Sequence, residues 1–478
     1  MGWLGSGTGQ LHAALQTTLL AAAVEPASES VQTSGMMAVM ERVPFPLLMT
    51  VAALAFLATL VASKFARKLQ VPAILGVLLL GAAINPAERI FSPEAVENLH
   101  IISLTLLLFY AGLKTNIKQI RQFLGYGLLL AIGGVAVSSL IFGLLIFGVY
   151  HLFGSTLAHA GFMPLPLSLC MLVAACLGST DAGATLSVLS SVSRYVPGRV
   201  RSLLEFESSV NDPAAILFLL LVLGLSFTQP EATRALNDVT MTGVAGQIQA
   251  FIKSIGSGIM VGLILTYIGQ YILRHFITSK DQILIVGIAI SVAAYGLSTL
   301  LLGSGFISAY VTGVFLANNI YENPLITSES LENSLESFNT MMEMLVFLLF
   351  GVIIDPTSIR LVLPEGILCA LALMLVARPL SVLAFSGVSP FNWRENVLIA
   401  WCGLRGAVPL ALSYTVIHAI PQLPGIDAAT TSIFSKEVEG LIFLVVLLNL
   451  LLQGLSLPVL SRRLGLRGEA GGEAVTAT

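Results

Sequence analysis

Apolar runs long enough to cross a lipid bilayer recur along almost the whole of this chain. Pro44–Val61, Leu128–Phe147, Ala214–Phe227, Gly256–Ile272 and Leu441–Val459 are examples. A spanning helix needs roughly 20 predominantly apolar residues. The alternation of polar and apolar residues expected of a membrane barrel strand is absent, so these runs read as helices, which close all their backbone hydrogen bonds internally. Composition supports the same reading. Charged residues make up 10% of the 478 and hydrophobic residues 56%, with a mean hydropathy of +0.91, whereas a soluble domain is about 25% charged. The fold class is therefore an all-α polytopic membrane protein.

About thirteen segments are expected, starting near Pro44, Val71, His100, Phe123, Pro164, Leu203, Gly246, Gln282, Gly303, Met341, Leu361, Asn392 and Gly440. With the leader placed outside, the inside loops hold 15 Lys and Arg, including Lys64, Arg67, Arg199, Arg394 and Arg462, and the outside loops hold 6. That bias is the positive-inside pattern and puts the C-terminus in the cytoplasm. The acid-only stretch Glu322–Glu336 reads as a solvated connection on the inside. Residues 1–43 read as a leader that is a signal, a weak extra helix or irregular chain. Residues 44–464 read as the membrane domain, and 465–478 as a short cytoplasmic tail.

The chain also repeats itself. LLLFYAGLKTNIKQIR, ending at Arg121, matches LVFLLFGVIIDPTSIR, ending at Arg360. Further along each half, LVAACLGSTDAGATL from Leu172 matches LIAWCGLRGAVPLAL from Leu398. The copies lie seven segments apart. An odd offset inverts the second copy, and paired interrupted helices in an inverted repeat are the sequence pointer to a transporter's midplane site.

Ionisable groups within such segments are costly and mark function. Four places stand out: Thr180 and Asp181 in GSTDAG; Glu205, Glu207, Ser208, Asn211 and Asp212 in LLEFESSVNDP; Arg378 in LVARPLSV; and Arg405, between Gly403 and Gly406, in GLRGAVP. On a helix Ser208 and Asp212 share a face, with Glu207 and Asn211 on the next. Asp212 sits about 15 Å deeper than Leu203 at ~1.5 Å per residue. Asp before Pro is also a good helix start, so a helix beginning at Pro213 is the competing reading. Likewise Asp181 either lines a site at a helix break or caps the helix from Ala182. Arg378 and Arg405 either pair for packing or serve transport. Lys114, Glu343 and Asp355, near segment ends, are expected to snorkel or face the interface.

Net charge is −3, which gives no electrostatic case for nucleic acid. Cys170, Cys176, Cys369 and Cys402 lack metal-ligand or disulfide spacing and read as small core residues. His100, His151, His159 and His275 show no paired metal spacing, and no protease constellation is present. No cofactor and no resident metal are expected.

Together these motifs resemble the NhaP-type branch of the monovalent cation/proton antiporters, which includes the sodium/proton exchangers. GSTDAGATLSVL is similar to that family's Thr-Asp break, LEFESSVNDPAAILFL to its Glu-Ser-x-x-Asn-Asp signature, and ARPLSV and GLRGAVPLAL to its late helices. The resemblance runs from about Pro44 to Arg463. It implies thirteen helices with two crossed discontinuous ones, a homodimer in a cell membrane, and pH homeostasis as the setting. It implies that Asp212 binds either Na+ or K+ or a proton, with Asn211, Ser208, Thr180 and Asp181 beside it. It also implies a Glu207–Arg378 ion pair, support of the second break by Arg405, and electroneutral exchange from Asn211 preceding Asp212. Two departures stand out: Tyr110 lies near the place where many relatives carry an acid, and no cytoplasmic regulatory domain is expected after Arg463. The alternative is an anion or organic-solute transporter that uses the broken-helix N-termini and the arginines.

Overall fold

The computed structural model describes residues 45–68, 72–84, 93–115, 123–153, 164–190, 192–226, 244–321, 326–423 and 426–466. The leader, Arg121 and most of the tail lie outside them. Among the described residues there are helices and turns and no strands. In chain order the helices are α1 (Phe45–Lys68), α2 (Ala73–Ile84), α3 (Pro93–Lys114), α4 (Leu124–Leu152), α5 (Leu167–Cys176), α6 (Ala182–Ser190), α7 (Gly198–Ser226) and α8 (Val244–Phe276). They continue with α9 (Lys280–Leu300), α10 (Gly305–Ala317), α11 (Ser328–Ile353), α12 (Pro356–Leu361), α13 (Leu363–Ala384), α14 (Trp393–Trp401), α15 (Ala407–Ala419) and α16 (Ala428–Leu464). Each expected segment start falls in or just before one of these helices. By length and apolarity, seven described helices are able to cross a membrane: α4, α7, most of α8, α9, α11, α13 and α16. The others are shorter, so length alone does not give thirteen crossings.

The chain divides into a unit ending at Leu57, whose described part is the first turns of α1, and a unit from Ala58 onward. Within the second unit, packing sorts the helices into two bundles. One holds α2, α3, α8, α9, α10 and α11; the other holds α4, α5 and α6, α7, α13, α14 and α15, and α16. The bundles meet chiefly where α3 and α8 touch α7 and where α11 and α3 touch α15.

The internal repeat is visible in this packing. α3 crosses α10 at Gly112 and Gly313, where a methyl group on either glycine would strike the other helix's backbone. Seven segments along, α11 crosses α2 at Gly351 and Gly81 in the same way. Gly112 and Gly351 are the equivalent glycines of the two sequence copies. Small residues at such crossings let helix backbones approach closely where lipid supplies no hydrophobic drive. A second matched feature carries no sequence signal: α4 contains a π-helical turn at Leu129–Gly133, and its counterpart α13 contains one at Leu373–Ala377, ending against Arg378.

Local chemistry sets several helix ends. Asp427 caps α16, accepting from the Thr430 N–H at 2.8 Å, and Gly465 at φ 62° ends it just after Arg462 and Arg463, the favoured order for a helix C-terminus. Asp355, expected at an interface, caps α12 through the Thr357 N–H at 2.9 Å and lies 3.7 Å from Lys436. The Thr357 N–H holds its carboxyl below the usual carboxylate range. One expectation is corrected: the described part of Glu322–Glu336 is no mere connection. From Ser328 it forms the first turns of α11, started by Thr327, whose hydroxyl accepts from the Ser330 N–H at 3.0 Å. Its acids and apolar residues alternate at helical rather than loop spacing.

Candidate functional site

The site is built where two broken helices cross. The helical backbone is interrupted from Leu177 to Asp181, between α5 and α6, and from Cys402 to Gly406, between α14 and α15. The Asp181 N–H donates to the Leu404 carbonyl at 2.7 Å, joining the breaks. Gly406 lies so close under the Asp181 carboxylate that a methyl group there would collide with it. Opened backbone inside apolar surroundings must find polar partners, and Arg405 supplies them. Its Nη1 donates to the carbonyls of Gly178 (2.8 Å) and Ser179 (2.7 Å). The Arg405 side chain thus holds the first break, not its own. The second break is held by Asn449 of α16, which accepts from the Arg405 N–H at 2.8 Å and donates to the Gly403 carbonyl at 3.4 Å.

α7 passes beside this crossing. It is continuous through Pro213, so the reading in which a helix begins at Pro213 does not hold. The polar run therefore lies within the helix. Ser208 Oγ donates to the Thr180 carbonyl at 2.7 Å, and Asn211 Nδ2 to Thr180 Oγ1 at 2.5 Å. The Thr180 N–H donates in return to Asn211 Oδ1 at 3.3 Å. The Ser179 hydroxyl donates to Asp212 Oδ1. Asp181 Oδ1 accepts from the Ala184 N–H at 2.9 Å, so Asp181 caps α6 as well as lining the site. Glu207 and Arg378 form an ion pair at 2.7 Å, 2% and 4% exposed. The π turn of α13 delivers Arg378 to that position.

A cavity of about 130 Å³ opens in front of Asp212, between the bundles. It has room for several waters. Its walls include Ser179, Thr180, Asp181, Ser208, Asp212 and Gly406, with Lys114 of α3 and Glu343 and Asn339 of α11 opposite. The sequence-derived site residues Thr180, Asp181, Ser208, Asn211 and Asp212 therefore come together. Glu207, Arg378, Gly403 and the Arg405 guanidinium stand behind them and do not line the cavity. Lys114 and Glu343, expected at the interface, face this cavity instead. Glu343 reads as close to a segment start because that segment is expected to begin near Met341, whereas α11 begins at Ser328 and carries Glu343 well inside the helix. Ser179 and Asn449 were missed. Asn449 and Gln453, four apart in an otherwise apolar stretch of α16, were the available signal. The four cysteines are buried and free. Among the described residues no group of His, Cys, Asp and Glu could hold a resident metal.

The profile of the family described as "Sodium/hydrogen exchanger, transmembrane" matches residues 52–463. The chain belongs to that family. Among curated members of the exchanger family, it is 28% identical over 408 residues to the K(+)/H(+) antiporter NhaP2 of Shewanella sp. strain ANA-3, with 84% of this chain covered. It is also 28% identical to the Na(+)/H(+) antiporter ApNhaP of Aphanothece halophytica, covering 85% of this chain and 72% of that one. The chain spans only 64% of the length of the Shewanella relatives. Among solved structures, the sodium proton antiporter MjNhaP1 of Methanocaldococcus jannaschii matches with a TM-score of 0.71 at 23% identity, over 85% of this chain and 99% of that one. The NhaP-type resemblance and the antiporter fold of crossed, broken helices are thereby established.

Proposed function

We propose that this chain exchanges a monovalent cation, K+ or Na+, for a proton across a cell membrane, and that Asp212 is the shared seat of both. The observation that carries the reading is the position of Asp212. It is the carboxylate of α7 at the crossing of the two breaks, turned into a cavity between two bundles. Asn211, Ser208 and Thr180 lock α7 to the first break, while Asp181 and the Ser179 hydroxyl complete the polar wall. One carboxylate can run exchange by competition, since a cation or a proton neutralises it but not both at once. If the empty, charged site does not cross between facing states, every half-cycle carries one ion. The inverted repeat supplies the two states by movement of one bundle against the other. Glu207 and Arg378 serve as a buried structural pair, and Asn211 in place of a second acid before Asp212 favours one-for-one, electroneutral exchange. The positive-inside count favours a cytoplasmic C-terminus, and a homodimer is the expected assembly. The names of the curated relatives support both cations, so the choice between them belongs to experiment. The anion-transporter alternative is disfavoured by carboxylates in the cavity wall, where an anion would need donors.

The test is proton flux in proteoliposomes, followed by dye dequenching with K+, Na+ and Li+ across pH 6–9. Wild-type protein is expected to show cation-dependent flux. Its cation KM should rise towards about tenfold per pH unit on the acid side at constant maximal rate, as one proton competing with one cation requires. Asp212→Asn should insert normally and show no flux. Robust cation-coupled flux from that variant sinks the reading.

A further inference from the structure

Away from the cavity, a group of arginines gathers where α14 begins and α16 ends. The two helices lie side by side in opposite directions. Near the second break the Trp401 indole N–H donates to Ser456 Oγ at 2.9 Å. At the other end Arg394 Nη1 donates to the Leu464 carbonyl at 3.5 Å. Arg394, Arg462 and Arg463 are exposed there, the last two in the final turn of α16. From Gly440 to Leu464 that helix carries no acid, and α14 carries one, Glu395. Glu395 is buried and already engaged. Arg199 donates from Nε to its Oε1 at 2.8 Å and from Nη2 to its Oε2, and the Asn392 N–H donates to Oε2 at 2.9 Å. The three exposed guanidiniums therefore have no carboxylate on either helix to offset them.

Arginines at a membrane helix end are ordinarily solvated charges that fix orientation. Two observations set these apart. First, an apolar stripe leads away from them into the bilayer. Leu452, Leu455 and Val459 recur at intervals of three and four residues on α16 and are all exposed, so they share one face, and Arg462 and Arg463 flank its end. From Leu452 to Arg463 the stripe runs about 16 Å at ~1.5 Å per residue. That is about one leaflet of a roughly 30 Å hydrocarbon core. Second, Trp393 opens α14 at 68% exposure, with the Arg394 guanidinium 5.4 Å from its ring centroid. An exposed Trp at a membrane surface sits at headgroup level, and its ring face holds the Arg394 charge at that level.

We propose that the seam between α14 and α16 binds an anionic phospholipid of the leaflet in which α16 ends. The phosphate sits among Arg394, Arg462 and Arg463, and an acyl chain lies along Leu452, Leu455 and Val459. Guanidinium groups pair with phosphate oxygens through two parallel N–H bonds. A soluble anion would satisfy the arginines and leave the stripe uncovered, whereas a lipid does both. A zwitterionic lipid brings its own cation to the phosphate and gains less. The site also bears on the crossing of the broken helices. α14 runs into the second break at Cys402, and α16 carries Asn449, which holds that break, about one turn beyond Leu452. A lipid that joins α14 to α16 steadies the break from the membrane side.

Lipid retention tests the site without any flux measurement. The detergent-solubilised full chain is stripped of lipid, reloaded with phosphatidylglycerol or phosphatidylcholine, and followed by native mass spectrometry and thermal unfolding. Wild type should retain phosphatidylglycerol in preference to phosphatidylcholine, and phosphatidylglycerol alone should raise the thermal midpoint. A basic residue beside an anionic lipid surface contributes about fivefold in binding, so Arg394→Gln with Arg463→Gln should cut retention roughly twentyfold and remove the midpoint shift. Lys64→Gln with Arg274→Gln takes as many charges from the ends of α1 and α8 and should change neither readout. Val459→Trp fills the stripe and keeps every charge. It should lower retention several-fold, which keeps the test open if the arginine variant folds poorly. Inorganic phosphate and glycerol phosphate separate a lipid from a free anion, since neither should displace the lipid or raise the midpoint. Equal retention of the two lipids by wild type overturns the site. So does undiminished retention in the arginine pair or in Val459→Trp, or a midpoint raised as far by inorganic phosphate as by the lipid. Each of these failures leaves the exchange reading standing, and loss of exchange in wild type would leave the lipid result standing.

Discussion

At the scale of single residues, the buried charges divide into those that face the cavity and those that hold its back wall. Glu207 and Arg378 belong to the second group. Each is almost wholly buried, so each relies on the other to offset the loss of water. Removing one charge leaves the other stranded, at about 3–5 kcal/mol. Glu207→Gln is therefore expected to lower the thermal midpoint of the detergent-solubilised chain sharply. Replacing both members with apolar residues, Glu207→Leu with Arg378→Met, should recover most of it. If the double variant is no more stable than the single one, the pair does more than cancel charge. These residues were legible in the sequence because a charge inside an apolar run has few explanations. Ser179 was not, since a serine in such a run is commonplace and only the fold brings its hydroxyl to Asp212. Lys114 and Glu343 were visible but misplaced: a segment end can face a cavity, and α11 begins well before Met341.

Among elements, the breaks were legible and their supports were not. Gly178, Gly403 and Gly406 beside a charge mark interruptions in helices α5–α6 and α14–α15. What holds an opened backbone comes from elsewhere in the chain: Arg405 for the first break and Asn449 for the second. Asn449→Ala strands the buried N–H of Arg405 and frees the Gly403 carbonyl. The expected loss is about 1–3 kcal/mol, together with a slower maximal exchange rate as the crossing loosens, read by thermal unfolding and by flux. A midpoint unmoved by this change would mean that water or the backbone takes over from Asn449. The π turns of α4 and α13 also escaped the sequence, because one extra residue per turn leaves an all-apolar pattern unchanged. The helical start of α11 escaped for the opposite reason: its acids obscured a periodicity that was nonetheless present.

On the scale of the whole molecule, the inverted repeat was legible as two short matches, and packing gives it meaning. The crossings Gly112–Gly313 and Gly351–Gly81 are related copies, so the bundle that holds both contains helices from both halves of the sequence. Which helices form which bundle depends on contacts far apart in the chain and could not be read from either copy. Alternating access asks that contacts between bundles on the two sides of Asp212 open and close in turn. Lys114, in the last turn of α3, lines the mouth of the Asp212 cavity. His100, about 21 Å back along the same helix at ~1.5 Å per residue, packs its ring, tilted, against Tyr414 of α15 with ring centroids 4.2 Å apart. That contact joins the two bundles on the side away from the mouth. If the bundles move against each other, it must part when the mouth shuts. Cysteines at His100 and Tyr414, bridged by a short bifunctional reagent, should therefore stop exchange and leave the cavity reachable from the mouth side only. Cysteines at Gln270 and Phe315 join α8 to α10 within one bundle, where the Gln270 side chain already reaches the Phe315 carbonyl at 3.4 Å. Bridging that pair should leave exchange intact. Full exchange after bridging the first pair would mean that α3 and α15 travel together, and that the two packing bundles are not the two moving parts.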